Sequence, residues 1–190
     1  MEFHLIYKGQ LNSNRGPVQK QIIRRQIHTQ LKDLVSRPPM GTFRAMLEKN
    51  SGRVVQSQLG EFTFVPIISE SLRHTAELNI TLLVRDEPGR AITRGGDLDN
   101  RIKTLLDGLR KPHNLGEIPE KDSPNENEQP FFCLLEDDAL VSRLNIYPDR
   151  LLQLNDAFQG VGNSDSDVIA IINVFSRPTY TTIGEVQWVD

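Results

Sequence analysis

The chain has 190 residues, of which 37% are hydrophobic and 25% charged, and this composition is typical of one globular domain with a buried core. It has no apolar run near the roughly 18 residues of a membrane span and no export signal, so no membrane association is expected. Cys133 is the only cysteine, which excludes an intramolecular disulfide and favours a reducing, cytoplasmic location.

The net charge is −3, but the charges are unevenly distributed along the chain. Residues 1–50 carry nine Lys/Arg and three Asp/Glu, a net +6, whereas residues 112–140 carry one lysine and eight acids, a net −7. A basic half can bind nucleic-acid phosphates, and an acidic stretch can hold a metal ion. A solvated helix face and a solvated acidic loop have the same composition, so charge alone leaves both interpretations open.

The first half of the chain predicts strands at residues 3–7, 62–65 and 78–84 and one long helix at 18–35. Turn-forming residues follow the first strand at 10–17, Pro38-Pro39 ends the helix, and residues 86–96 predict a loop. One side of the helix is apolar, with Ile22, Ile23, Ile27, Leu31, Leu34 and Val35. The other side carries Lys20, Arg24, Arg25, His28 and Lys32, several of which could contact a DNA backbone together.

The second half predicts a helix at 98–110 and strands at 140–147 and 168–175. The apolar stripe of the helix consists of Leu98, Ile102, Leu105, Leu106 and Leu109. Residues 112–130, with four prolines, predict a long mobile loop, and residues 149–167 a second insertion. We therefore expect a single domain over residues 1–190, of the α/β class in its α+β type, with helices packed on a mixed sheet.

Carboxylates stand at two places where a fold can build a magnesium site. Asp97-Leu98-Asp99-Asn100 opens the second helix, and Glu136-Asp137-Asp138 follows an apolar run at 131–135. Lys103 lies one helical turn after Asp99. Carboxylates and a lysine around a divalent ion suit phosphodiester cleavage, so these residues predict a nuclease.

Each of these residues also has a purely structural interpretation. Asp97 and Asp99 suit the capping of a helix N-terminus, and Asp99, Lys103 and Asp107 are spaced for a ladder of surface ion pairs. The four histidines (His4, His28, His74 and His113) share no metal-ligand spacing, and Cys133 is expected to be a packing residue.

Residues 96–109, Gly-Asp-Leu-Asp-Asn-Arg-Ile-Lys-Thr-Leu-Leu-Asp-Gly-Leu, and 135–141, Leu-Glu-Asp-Asp-Ala-Leu-Val, resemble the RusA family of Holliday-junction resolvases. The matching parts are Asp-Leu-Asp-Asn, a lysine three residues later, an aspartate four further on, and a paired Asp before a strand. Leu-Asn-Ser-Asn at 11–14 is similar to the N-terminal loop of the family. The match covers about a third of the chain, with a longer spacing between the motifs and an acidic net charge.

The resemblance implies a RusA-like, homodimeric enzyme of DNA recombination and repair that cuts four-way junctions with Mg²⁺. It implies that Asp97, Asp99 and Asp138 hold the metal and that Lys103 is an essential cation. Asn100, Asp107 and Asp137 would position these groups, and Lys20, Arg24, Arg25, Lys32, Arg94 and Arg101 would bind DNA.

Two other functions stay open from the sequence. One is a nucleic-acid-binding module that uses the basic helix without catalysis, and the other is a metal-dependent nucleotide phosphohydrolase built from the same carboxylates.

Overall fold

The computed structural model describes residues 1–11, 16–37, 55–84, 97–151 and 167–179, with Asp97 described by its backbone alone. The expectations for Asn12 to Asn14, for Pro38-Pro39, for the loop at 86–96 including Arg94, and for residues 152–166 lie outside the described residues.

The described elements are two helices, seven strands and two short 3₁₀ turns. The helices are α1 (Pro17–Ser36) and α2 (Asp97–Leu109), and the 3₁₀ turns are Leu115–Glu117 and Asp138–Leu140. The strands are β1 (Glu2–Gln10), β2 (Ser57–Leu59), β3 (Phe62–Ile68), β4 (His74–Val84), β5 (Phe131–Leu135), β6 (Val141–Arg150) and β7 (Asp167–Pro178). The mixed α+β class is confirmed, and β2 is a strand that the sequence pattern did not predict.

The larger sheet contains four strands in the order β1-β7-β4-β6. Strand β4 runs parallel to β6, and the other two pairs are antiparallel. Apolar residues alternate along β4, where Ala76, Leu78, Ile80 and Leu82 are all 0% exposed. This period of two places one face of the sheet against the core and leaves the other face away from it.

The smaller sheet has the order β2-β3-β5, with β3 parallel to β5. All five residues of β5 are buried, which explains why its sequence is a continuous apolar run without alternation. Phe62, Phe64 and Phe131 stack and cross at 5.4–5.5 Å between ring centroids in a second apolar cluster.

Both helices pack against the core, α1 against β1, β5 and α2. Pro17 begins α1 at a position where its missing N–H costs nothing. Ile102, Leu105 and Leu109 of α2 are buried, as the apolar stripe predicts. Neither described helix combines the length and apolar character that crossing a membrane requires.

Two glutamines of α1 cover the free edge of β1. Gln30 accepts from the N–H of Ile6 at 2.9 Å and donates to its carbonyl at 2.7 Å. Gln26 makes the same pair of bonds to Lys8 at 3.1 and 2.8 Å. The two side chains thereby take the place of a neighbouring strand, which protects the edge against pairing with another chain.

Two expectations about the fold are wrong. Ile22 was placed in the apolar stripe of α1 but is 45% exposed, whereas Arg24 and His28, from the supposed solvent side, are buried. Residues 112–130 are not a loop in solvent, because they pack against α1 and bury Ile118 and Glu128.

Candidate metal and DNA site

The residues of the first motif lie at the start of α2. Asp99 and Lys103 are exposed one turn apart, and the carbonyl of Asn100 accepts a bond of 2.9 Å from the Thr104 hydroxyl. The buried stripe of α2 on the opposite side fixes their orientation. Asp99 and Lys103 are therefore held at the surface by a rigid element, where they can reach a substrate.

The second motif begins where β5 ends. The N–H of Glu136 donates to the Ile68 carbonyl at 2.9 Å, which extends the β3–β5 pairing by one residue. The Glu136 carboxylate forms an ion pair with Lys111 at 3.0 Å. Asp138 is exposed at the first position of the 3₁₀ turn that leads into β6.

Asp137 is oriented from two sides. Its Oδ1 accepts from the Ala139 N–H at 2.8 Å, and its Oδ2 lies 2.9 Å from Nε2 of His113. The Ala139 N–H, with smaller contributions from Asp138 and His113, holds the pKa of Asp137 below its usual range. The carboxylate thus stays ionised, and its bond to Ala139 fixes the backbone that carries Asp138.

A cleft of about 560 Å³ opens beside this second motif. It lies between β2, the turn after β3, the segment that follows α2, and the end of β5. The ionisable side chains that line it are Glu70, Lys111, His113, Glu136 and Asp137. The sequence did not single out Lys111 or Glu136 as site residues, and it gave His113 no role. Their closeness to Asp137 and Asp138 along the chain, or just after α2, was the available signal.

The structure brings the second motif to the segment that follows the C-terminal end of α2. The Lys111 N–H donates to the Leu135 carbonyl at 2.9 Å, and His113 reaches Asp137. Asp99 lies in the first turn of α2, about 15 Å along the helix axis from Leu109 at 1.5 Å per residue. Among the side chains that the structure describes, no three His, Cys, Asp or Glu come together to hold a metal ion.

The carboxylates therefore fit Mg²⁺ in their chemistry, because the ion prefers oxygen ligands. The three-carboxylate cluster itself is not formed by the described side chains. Asp97, the remaining predicted ligand, has its side chain outside them.

Asp107 does not belong to a surface ladder. It is 8% exposed, and its carboxylate binds Lys20 at 2.7 Å and Arg110 at 3.0 Å. Burial raises its pKa, but the bonds and charges of Lys20 and Arg110 outweigh burial and lower the pKa overall. Asp107 ties α1 to the end of α2, so its role in positioning the exposed residues of α2 is indirect.

Arg24 is the clearest correction among the predicted DNA contacts. Its side chain is buried at 1% exposed and donates to the carbonyls of Arg110, Glu117 and Asp107 at 3.0–3.2 Å. Burial lowers the pKa of the guanidinium, and the charge of Glu117 opposes that effect. Arg24 holds the helices and the 112–130 segment together and cannot meet a phosphate.

The other cations of α1 lie nearer the surface but have protein partners. Arg25 binds Asp122 at 2.9 Å and Glu128 at 3.0 Å, and Lys32 donates to the Asn127 carbonyl. Lys20 binds Asp107. The acidic insertion thus occupies the basic side of α1, which does not fit an open DNA-binding face. Arg101 lies half-buried on α2.

Comparisons of the chain with models of known protein families, with curated proteins and with solved structures gave no match.

Proposed function

We propose that the protein is a Mg²⁺-dependent endonuclease that cuts branched DNA, such as four-way junctions, in recombination and repair. The observation that carries the proposal is the pairing of Asp99 with Lys103, both exposed in the first turns of a helix that opens Asp-Leu-Asp-Asn. The exposed Asp138, which follows a buried strand, supplies the third carboxylate of the motif.

Asp97, Asp99 and Asp138 would hold the metal ion. When bound, Mg²⁺ would polarise the scissile phosphate and lower the pKa of an attacking water. Lys103 would offset negative charge that develops on the phosphate oxygens. Asp137, through its bond to Ala139, would hold the turn that presents Asp138. Because two strands are cut symmetrically, the active form would be a homodimer with one site in each subunit.

The test is cleavage of a labelled four-way junction and of a matched linear duplex, each with and without Mg²⁺. We expect cleavage of the junction alone, and only with the metal. Asp99→Asn should lower turnover by about 100-fold or more without loss of melting temperature, because an exposed carboxylate contributes little to stability.

Asp33→Asn is the matched control, since Asp33 is an exposed helical aspartate on α1 whose partner is Arg37. It should leave cleavage unchanged. Full activity of the Asp99 variant at saturating Mg²⁺ would reject the site assignment.

The cleft beside Asp137 favours a second candidate, a metal-dependent phosphohydrolase that acts on nucleotides. Its volume lies within the range of about 300–1,000 Å³ that is typical of small-ligand sites. Lys111 and His113 line it and could approach phosphate oxygens. Mg²⁺-dependent hydrolysis of free nucleotides, with an intact junction, would select this candidate. A binding module based on α1 has lost its main support, because the cations of α1 are already bound within the chain.

A further inference from the structure

The four-stranded sheet has a face that points away from the helices. Ion pairs and hydrogen bonds between side chains identify this face: Arg143 binds Glu77 at 3.5 Å, and Asn145 donates to Asn79 at 2.8 Å. Because side chains alternate along each strand, the even positions of β1 and the odd positions of β4, β6 and β7 share it. We call this surface the open face.

An apolar row crosses the centre of the open face. The strand registers align Ile6 with Ile171, Ile171 with Thr81, and Thr81 with Tyr147. The two ends of the row are well exposed, at 42% for Ile6 and 56% for Tyr147. Large apolar side chains that stay exposed on a flat sheet are typical of an interaction surface.

Charged residues at the four corners of the open face alternate in sign. At one end of the strands, Glu2 of β1 and Arg143 of β6 share a row, and at the other end Lys8 of β1 and Asp149 of β6 share a row. All four are exposed. Each edge of the sheet therefore carries one acid and one base, in opposite order.

This arrangement is complementary to itself. A two-fold axis that lies between two open faces, parallel to the strands, exchanges the β1 edge with the β6 edge within each row. Glu2 then faces the partner's Arg143, and Lys8 faces the partner's Asp149. In the central row, Ile6 faces the partner's Tyr147. A face that bound an unrelated protein or nucleic acid would have no need of such self-complementary charges.

We infer that a second copy of this chain packs its open face on that of the first, with their strands aligned to within about 30°, as stacked sheets commonly are. The inference names the contact surface of the homodimer in the proposed function and does not depend on its metal chemistry. The row of Ile6 and Tyr147 forms the apolar centre, and the four charged corners form the rim.

Sedimentation of the full chain over a range of concentrations tests the inference. We expect a dimer, and we expect Tyr147→Asp to raise its dissociation constant by about 100-fold or more, because a buried charge at the centre of an interface lacks a partner. Val18→Asp is the matched control: Val18 is 61% exposed on α1, and its variant should remain dimeric. Thermal unfolding of both variants verifies that they fold.

A charge exchange at the rim gives a second readout. Lys8→Glu should weaken the dimer by about threefold to tenfold, and Lys8→Glu combined with Asp149→Lys should restore it, because rim pairs contribute modestly. A chain that is monomeric at all concentrations overturns the inference, and so does a dimer that Tyr147→Asp leaves intact. A monomer whose affinity for single-stranded DNA falls with Tyr147→Asp would assign the open face to nucleic acid instead.

These results separate from those of the nuclease test. Dimerisation that depends on Tyr147, in a protein that cleaves no junction, supports the interface and rejects the proposed function. Junction cleavage by a monomer rejects the interface and retains the nuclease.

Discussion

Lys103 is exposed on α2, four residues after Asp99, where it can act on a substrate without supporting the fold. Lys103→Ala should therefore change the melting temperature by no more than about 2 °C. If Lys103 stabilises charge that develops during cleavage, turnover of the junction should fall by about tenfold or more while the junction affinity is retained. Single-turnover rates and binding isotherms measure the two quantities. An equal loss of rate and affinity would make Lys103 a binding residue instead.

His28 links α1 to β5, since its Nδ1 accepts from the Phe132 N–H at 2.8 Å and its ring stacks on Phe131 at 4.5 Å. Burial, together with the nearby charge of Lys32, lowers the pKa of His28 below the ordinary value of 6.5. As the pH falls below 6.5, the unfolded chain takes up a proton that the folded chain resists. Stability that is fully present above that value should consequently decrease towards acid.

Urea unfolding at a series of pH values between about 7 and 5 measures this effect. The control is His28→Asn, whose side-chain oxygen can still accept from Phe132 but does not titrate. It should be less stable at neutral pH, because it loses the stacked ring, and should show a flatter dependence on pH. An identical pH dependence in both proteins would contradict the assignment to His28.

At the scale of elements, the crossing of α1 and α2 depends on Gly108. A Cβ added there would lie 2.6 Å from both Cβ and Cγ2 of Ile23, closer than side chains can approach. Alanine favours a helix over glycine by about 1 kcal/mol, but the clash should dominate. We expect Gly108→Ala to lower the free energy of unfolding by about 1–3 kcal/mol, measured by urea unfolding. A gain in stability would show that the helices are not packed so closely.

The periodicity of α1 predicted its length well and its orientation poorly. The helix spans Pro17–Ser36 against the expected 18–35. Its buried side includes Arg24 and His28, because their partners come from elsewhere in the chain: Arg24 bonds to residues 83–93 positions away, and His28 to Phe132. A pattern that classes Arg and His as polar cannot anticipate a burial in which distant carbonyls and an N–H satisfy each polar atom.

The same principle applies to residues 112–130. Their prolines and acids are typical of a loop in solvent, yet Asp122 and Glu128 both bind Arg25. The charge excess of each segment was visible in the sequence, and the two opposite charges meet in the fold. The structure thus explains the uneven distribution of charge without a bound nucleic acid.

For the whole molecule, this contact changes what is expected of DNA binding. Arg25→Gln should leave the slope of log affinity against log salt unchanged, because Arg25 contacts two carboxylates rather than a phosphate. The same variant should unfold at a lower urea concentration, since Asp122 and Glu128 lose their partner. Titrations of a fluorescent junction at several salt concentrations measure the slope. A decrease of nearly one unit would show that Arg25 binds a DNA phosphate.

The sequence by itself determined the strands β1, β3, β4, β6 and β7, both helices, and the attachment of the two acidic motifs to a helix start and a strand end. These features are local, since a period of 2 or 3.6 residues and a capping position are set by near neighbours. Only the tertiary structure decided which charged side chains stay exposed. Asp107 and Arg24 are held inside by partners from other elements, whereas Asp99, Lys103 and Asp138 remain at the surface. Burial is a property of long-range contacts, and a periodic pattern contains no information about which distant atoms will provide them.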